Sequence, residues 1–475
     1  MWLLHAPLRR AAHAYAFGAV PRAPAAGLAR VPGIGAATTV SCGPAALAVL
    51  EQATGAVHLR GSAFGSLGAT PERLLLEREP ARRIHLGAAT IAVIGEEGLF
   101  VGGAAQEGQL GRGGALGPAG SYHGGSQLPF VAPLEPLVLP DGERAASAAL
   151  SRTFSLFLTK GGRVLSCGSS FDGALGLGDE PVAMTPIPVA GLPADDPVVK
   201  IACALSFSVA ICRSGRVFLW GRMGRGGVAT ALALPKARPA SRDDATSSPA
   251  TEGVLSSSTP LELVPEGFDC VLDGPDAGLR MDVACGMHHA LLSFAGSISS
   301  YGLAGSPRVW SLGVSRGNGA LGLGAEAGSR LRPAEIDLRS LASQWGCEND
   351  PRSAFSIRIA AGPFTSSIAL DGHLFVCGRI SNAGMLGGLG RAAFEAASKT
   401  RDKILLARDL GHFGEGDDAA DGDRVAQIAL DATPAGSDIV VSRFVPVLDA
   451  ELGRHAGGRV VESIALGLAH GVVLL

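Results

Sequence analysis

The pattern of apolar and polar positions repeats along this chain of 475 residues. The clearest copy spans residues 84–111, where an apolar strand ends in Ala-Val-Ile, a charged turn follows at residues 95–98, and a second apolar strand leads into a loop with spaced glycines. Short apolar segments at even spacing, separated by turn signals, are typical of repeated β-units rather than βαβ units. The pattern therefore predicts an all-β repeat protein.

Each unit has two halves, and each half occurs seven times. The first half is a small residue or Gly, two further residues, a Thr or His and an apolar run, with copies that begin at Val40, His85, Ala148, Ile201, Val283, Ile359 and Ile464. The second half is a short apolar strand ending on glycine, at Gly18, Gly61, Gly103, Gly168, Gly221, Gly313 and Gly378. The chain opens with a second half at residues 14–18 and closes with a first half at residues 464–475. We therefore predict that these two segments pair and close a ring, which leaves only short sheet edges.

Certain residue types recur at the same position in successive copies of the repeat. The glycines of the loop fall at fixed offsets from the strand end, which is typical of a backbone that needs positive φ. The clearest repeat positions are Gly108, Gly111, Gly173, Gly176, Trp220, Gly221, His289 and His470.

These motifs resemble the RCC1-type repeat, in which a Trp-Gly pair, a Gly-x-Leu-Gly loop and a Gly-x-x-His segment recur in order. The resemblance covers most of the chain from about Ala14 to Leu475. It implies a seven-bladed β-propeller of RCC1-type repeats with long loop insertions. Kelch and WD40 repeats fit less well, because a Gly-Gly doublet occupies this register only at Gly102 and Gly103 and no Trp-Asp dipeptide closes a repeat.

The connections between units are uneven, and we predict insertions at about residues 114–142, 228–279 and 391–458. Residues 239–259 are rich in Ser, Thr and Pro without apolar periodicity, which predicts disorder. Residues 1–13 contain Arg9 and Arg10 and no acid, as a mitochondrial transit segment does, although they also contain no serine. The open alternative is an ordinary N-terminal segment, with the protein in the cytoplasm or nucleus.

Composition narrows the function classes. The net charge of −3 produces no overall basic field that would favour nucleic acid, so DNA is an unfavoured partner. No apolar run reaches the length of about 18 residues that a membrane-spanning helix needs. Cysteines occupy repeat positions, with Cys42, Cys203 and Cys285 in one register and Cys167 and Cys377 where Trp220 stands. We interpret them as small buried hydrophobic residues in a reducing compartment.

Two catalytic motifs occur inside the repeat and are better explained by it. Residues 313–317 match Gly-x-Ser-x-Gly, but no helix follows, as a nucleophile elbow requires. Residues 317–322 match Gly-x-Gly-x-x-Gly in the register of the repeat's own loop, not at the start of a helix. His289 and His470 stand where other copies have Thr, which favours a buried hydrogen-bonding role over metal ligation. We therefore expect no enzyme activity, cofactor or metal.

The resemblance implies a binding protein. We expect a non-catalytic interaction platform in mitochondria, with ribosomal or other ribonucleoprotein proteins as partners. The alternative is a guanine-nucleotide exchange factor for a small GTPase, and chromatin binding is a weaker third. The candidate partner-binding residues are Arg222, Arg225, Arg316 and Arg379, which follow the second strand in three consecutive units, whereas Glu107 and Asp172 occupy the corresponding loops of earlier units. Such arginines suit carboxylates or phosphates, so an RNA partner stays open.

Overall fold

The regular structure of the chain is almost entirely β-strand. The protein was analysed as a computed structural model, which describes residues 12–18, 29–31, 33–44, 46–61, 72–74, 79–104, 106–113, 131–170, 172–223, 255–263, 276–295, 297–299, 302–304, 307–314, 319–324, 330–339, 341, 357–370, 373–381, 438–446, 463–466 and 470–474. Two short 3-10 turns, at Pro140–Gly142 and Ala277–Arg280, interrupt the strands. The predicted all-β class is confirmed.

Seven antiparallel sheets of four strands form the blades of a propeller. The first described strands are β1 (Ala14–Gly18) and β2 (Ala29–Arg30), which belong to blade 7. From the centre outwards, blade 1 comprises β3 (Ala37–Cys42), β4 (Ala46–Glu51), β5 (Val57–Gly61) and β6 (Glu72–Leu74). Blade 2 comprises β7 (Arg83–Leu86), β8 (Thr90–Ile94), β9 (Leu99–Ala104) and β10 (Val131–Pro136). Blade 3 comprises β11 (Ala145–Leu150), β12 (Phe154–Thr159), β13 (Val164–Ser169) and β14 (Val182–Pro188).

The remaining blades follow the same order. Blade 4 comprises β15 (Val198–Cys203), β16 (Phe207–Cys212), β17 (Val217–Met223) and β18 (Leu255–Leu263). Blade 5 comprises β19 (Met281–Cys285), β20 (His289–Phe294), β23 (Arg308–Gly313) and β24 (Arg330–Ile336), with a separate hairpin of β21 (Ser297–Ser299) and β22 (Gly302–Ala304) between its second and third strands. Blade 6 comprises β25 (Ile357–Ala361), β26 (Thr365–Leu370), β27 (His373–Ser381) and β28 (Asp438–Pro446), and blade 7 begins with β29 (Ser463–Leu466) and β30 (His470–Leu474).

The two ends of the chain share blade 7, as the order of the half-units predicts. Strand β1 pairs antiparallel with β30, from Ala14 opposite Leu474 to Gly18 opposite His470. Strand β29 contacts β3 of blade 1, so the first strands form a closed ring. The prediction of seven blades closed by the chain ends is confirmed.

Two expectations need correction. The single strand expected at the start of each unit is a hairpin: in blade 2, β7 ends at Leu86, Gly87 N–H donates to the Thr90 carbonyl at 2.8 Å, and β8 begins at Thr90. The predicted insertions 114–142, 228–279 and 391–458 contain the outermost strands β10, β18 and β28. Residues 255–259 of the segment predicted to be disordered belong to β18, and residues 239–254 lie outside the described part of the chain. These strands were missed because an outermost strand has an open edge and tolerates Ser, Thr and Pro in place of an apolar run.

The hydrophobic core lies between the blades. In β12, Leu156 and Leu158 pack against blade 4, whereas Phe157 packs against blade 2. Both faces of this blade are therefore buried by its neighbours. The second strands β8, β12 and β16 are buried along their whole length, and β4 is buried up to its last residue, Glu51. This explains why these strands appear in the sequence as continuous apolar runs.

Candidate interaction surface

The ring has two faces, which differ in the loops they carry. Because successive strands of a blade run in opposite directions, the turn after the first strand and the loop after the third strand emerge at the same end. We call this end the glycine-loop face; in blade 2 it carries the turn at residues 87–89 and the loop at residues 106–113. The turns between second and third strands lie on the opposite face.

The described glycine loops, those of blades 2, 3 and 5, dock on the next blade. Gly108, Gly111, Gly173 and Gly176 all have positive φ. The residue after the first of these glycines points its carbonyl into the neighbouring blade: Ser155 Oγ donates to the Gln109 carbonyl at 2.7 Å, and Ser208 Oγ donates to the Ala174 carbonyl at 2.8 Å. The loop therefore joins consecutive blades by buried hydrogen bonds.

The same carbonyls explain why cysteine and tryptophan exchange in one register. Trp220 Nε1 donates to the Ala174 carbonyl at 2.8 Å, and Cys167 Sγ lies 3.6 Å from the Gln109 carbonyl. Cys377 Sγ stands in the same relation to Ala320, at 3.7 Å. Trp220, Cys167 and Cys377 are all fully buried. These cysteines are the buried residues that the sequence predicts, and their thiols also face an acceptor.

Trp220 and Gly221 both lie in close contact with neighbouring backbone, which leaves no room for a side chain at Gly176 or at Gly221. A Cβ at Gly176 would lie 2.8 Å from Trp220 Nε1, so the loop approaches the indole only because Gly176 has no side chain. Gly221 has φ +95°, and a Cβ there would lie 2.4 Å from the Ser206 carbonyl oxygen. Both glycines are therefore needed for strand and loop to meet.

His289 is a buried link between blades 5 and 6. Its side chain is 1 % exposed, and its Nε2 lies 2.8 Å from Ser366 Oγ, which donates to the Ala320 carbonyl at 2.7 Å. The imidazole fills the space beside Gly286, where a Cβ would lie 2.2 Å from the ring. Burial, with a smaller effect of neighbouring His288, lowers the pKa of His289 from 6.5 to about 4, and a hydrogen bond from the ring to the Thr365 backbone opposes this shift only in part.

The His289 ring is therefore neutral at physiological pH, as a buried hydrogen-bonding residue should be. The backbone of His470 lies in β30, and its side chain is outside the described part of the structure.

Among the four predicted arginines, the structure describes the side chain of Arg222. Its Nη2 lies 2.8 Å from Asp172 Oδ1, because the glycine loop of blade 3 docks on blade 4. The sequence places Asp172 and Arg222 in different units, and the structure brings them together as an ion pair that is about one-third exposed. Arg225 and Arg316 lie outside the described residues, as does the side chain of Arg379, whose backbone belongs to β27.

A central channel with a cavity volume of about 500 Å³ is lined by the first strands of all seven blades and by the turns that follow them in blades 1 to 6. Its walls are mainly alanines, valines, isoleucines and leucines, and they include the thiols of Cys42, Cys203 and Cys285. Cys203 and Cys285 are half-buried and occupy the same register in neighbouring blades. Burial raises the pKa of both thiols, and the charge of the Cys203 thiolate raises the pKa of Cys285 further. The sequence predicted that these three cysteines are buried in the core, whereas they line the channel.

His85 also belongs to the channel wall. Its Nε2 is buried, has no hydrogen-bond partner among the described residues, and burial lowers the pKa of the ring to about 4, helped by the charge of Arg83. The six other blades have Ser or Ala at this position, so His85 is the bulky member of a ring of small side chains. No group of three or more His, Cys, Asp or Glu side chains with metal-binding geometry occurs in the described stretches.

The rim of the channel on the glycine-loop face was missed by the sequence reasoning. It includes Arg152, Leu205, Met287 and Pro363, each of which follows the position of the repeat glycine in its turn. In blades 3 and 4 that position holds Ser151 and Ala204, and Phe154 and Phe207 stand where other blades have Thr or His. Neighbouring turns are joined, because Met287 N–H donates to the Pro363 carbonyl at 3.1 Å. The two variable positions of the Gly-x-x-His segment could have indicated this rim. They were overlooked because their spacing is the same in each copy but their residue types differ.

Comparison with known proteins gives a partial sequence match. Residues 161–211 match the regulator of chromosome condensation (RCC1) repeat. The chain is 35 % identical over 141 residues to the secretion-regulating guanine nucleotide exchange factor of Bos taurus, and 30 % identical over 141 residues to the mitochondrial RCC1 domain-containing protein RUG3 of Arabidopsis thaliana. Each match covers 30 % of this chain, and the chain spans 27 % and 30 % of the length of these two relatives.

The fold comparison extends over the whole chain. The crystal structure of human WBSCR16 superposes with a TM-score of 0.61, covering 98 % of this chain and 99 % of that protein. The two chains are 19 % identical, so this similarity concerns the fold. In the described part of the structure, no helix is long and apolar enough to cross a membrane.

Proposed function

Because this chain is a member of the RCC1-like repeat family, we propose that it is a non-catalytic platform for protein binding, located in mitochondria and engaged in ribonucleoprotein or ribosome assembly. The mitochondrial location is supported by the acid-poor residues 1–13 and by the similarity to mitochondrial RUG3.

Binding is supported by a difference between two groups of residues on the glycine-loop face: one group joins the blades, and the other lies at the surface. The polar side chains of the repeat, including Ser155, Ser208 and His289, are engaged in hydrogen bonds between blades. These bonds stabilise the ring as a rigid support, while the turns and loops between them remain at the surface. Binding residues are commonly displayed in this way, on loops held by a rigid scaffold.

We propose that the arginines of blades 4 to 6 form one edge of the platform and bind carboxylates or phosphates. The test replaces Arg222, Arg316 and Arg379 together with Ser in a tagged full-length chain, followed by affinity purification at low and high salt and localisation of the tag. We expect an intact fold, a mitochondrial tag and a salt-sensitive loss of ribosomal or other ribonucleoprotein partners.

The Arg222–Asp172 ion pair supplies the matched control. Asp172→Asn removes the carboxylate of this pair and keeps the arginine, so capture should be kept or increased. If Asp172→Asn weakens capture as much as the triple substitution, displacement of the glycine loop is responsible and the arginines are not the binding groups. Unchanged partners and yields with the triple variant would also refute their role.

A second candidate is guanine-nucleotide exchange, for which the hairpin β21–β22 is the specific observation. This hairpin extends the turn between the second and third strands of blade 5 beyond the sheet, on the opposite face. An exchange factor needs an element that favours the nucleotide-free GTPase, and it acts through this difference in affinity. The test is release of fluorescent GDP from a co-purifying GTPase, with the hairpin replaced by a two-residue turn. Loss of release with an unchanged melting temperature supports exchange, and equal release by both proteins refutes a role of the hairpin.

A further inference from the structure

The channel mouth on the glycine-loop face has an apolar wall with a single charged group. None of the described residues that line the channel is Asp, Glu or Lys, and Arg152 is the only Arg among them. His85 adds no charge near neutral pH, because burial holds its pKa at about 4. The described lining of the cavity therefore carries one fixed positive charge and is otherwise uncharged.

Arg152 is available to a ligand. It lies in the turn after β11 and its side chain is exposed. Its backbone carbonyl accepts a hydrogen bond from Gln109 Nε2 at 3.4 Å, which holds the turn in place. The structure shows no ion pair of Arg152 with any described residue, in contrast to Arg222, which is paired with Asp172.

The rest of the rim is apolar and structurally fixed. Leu205, Met287 and Pro363 are half-buried and come from three consecutive blades. Hydrogen bonds join their turns, because Leu205 N–H donates to the Met287 carbonyl at 3.5 Å and Met287 N–H donates to the Pro363 carbonyl at 3.1 Å. Below them the wall continues as Leu150, Cys203 and Cys285, so the apolar surface leads inwards.

From these observations we propose that the channel mouth binds a protein segment in which a large apolar side chain stands next to an Asp or Glu. The apolar side chain enters the cavity and contacts Met287 and Leu205, and the carboxylate pairs with Arg152 at the rim. A carboxylate placed deeper would lose its hydration without gaining a donor, because the wall there is apolar. This arrangement favours an acidic side chain of a loop or extended segment over a chain terminus that enters carboxylate first.

This inference rests on the proposed platform function and names the chemistry of one partner segment. A random peptide library displayed on phage is selected on the folded full-length chain, and the enriched peptides are synthesised and measured by fluorescence anisotropy. We expect an acidic residue next to Leu, Met or Phe. Arg152→Glu should weaken binding about tenfold or more, because it turns attraction into repulsion. A peptide with Lys in place of the acid should regain affinity for that variant.

Further variants distinguish the loss of a contact with the peptide from the loss of the folded structure. Met287→Asp should abolish binding, because it puts a charge in the apolar wall. Arg144→Glu, at an exposed arginine paired with Glu97 on the opposite face, should leave binding unchanged. If Met287→Asp does not fold, the charge exchange at Arg152 decides alone. Enriched peptides without an acidic and apolar pair, equal binding by Arg152→Glu and the parent, or no enrichment would each overturn the inference.

The outcomes also separate this inference from the proposed function. Capture of a partner through the arginines of blades 4 to 6, with no peptide bound at the channel mouth, would leave the platform intact and refute this site. Peptide binding at the mouth without any captured ribonucleoprotein partner would refute the assembly role and keep the site.

Discussion

Replacement of His289 should change the pH dependence of stability. In the unfolded chain the imidazole titrates with its ordinary pKa of 6.5, whereas in the folded ring burial lowers it to about 4. Between these values the unfolded state binds more protons, so the free energy of unfolding falls as the pH is lowered through this window. The contribution of His289 is fully present above the unfolded pKa and is lost by about pH 4.

The expected size follows from the two pKa values. Going from about pH 7.5 to about pH 5, one such histidine removes about 2 kcal/mol from the free energy of unfolding. In His289→Gln the amide cannot titrate but still donates a hydrogen bond towards Ser366. The variant should therefore lose about 2 kcal/mol less than the parent over the same interval. His85, with a similarly low pKa, contributes in the same direction in both proteins.

The assay is equilibrium urea unfolding at a series of pH values, with the midpoint and slope recorded at each. Ser366→Ala is the matched control, because it removes the hydrogen-bond partner and leaves the imidazole buried. It should lower stability at every pH and keep the parent's pH dependence. If His289→Gln loses as much stability on acidification as the parent, the buried imidazole does not carry the effect and the reasoning is wrong.

Three further outcomes follow from the links between blades. Trp220→Phe should lower the free energy of unfolding by about 1 kcal/mol, because one hydrogen bond to the Ala174 carbonyl is lost while Ser208 still donates to it; an unchanged urea midpoint would contradict this. Deletion of residues 463–475 removes both inner strands of blade 7 and should give an insoluble or strongly destabilised protein; thermal melting like that of the full chain would refute ring closure. Burial raises the pKa of the Cys167 and Cys377 thiols, so both should resist alkylation at about pH 8 until urea unfolds the ring, as mass spectrometry can show.

Some features of the binding surface could be predicted from the sequence, and others depend on packing. The Gly-x-x-His spacing identified His289 as a buried hydrogen-bonding residue, because the same position holds Thr90 and Thr365 in two other blades. The spacing did not reveal that its partner is Ser366 in the next blade. Similarly, Arg222 and Asp172 were assigned to separate loops, and only the docking of one blade on the next makes them an ion pair.

The sequence by itself determined the number of repeats, the order of their halves and the closure of the ring by β1 and β30. It could do so because the inner strands are buried on both faces and leave a strong apolar pattern. The outermost strands β10, β18 and β28 have an open edge and a weak pattern, so only the tertiary structure places them. The tertiary structure also decided that Arg152 and Met287 share the rim of the channel. They come from turns 135 residues apart in the chain, and the curvature of the ring brings them to one opening.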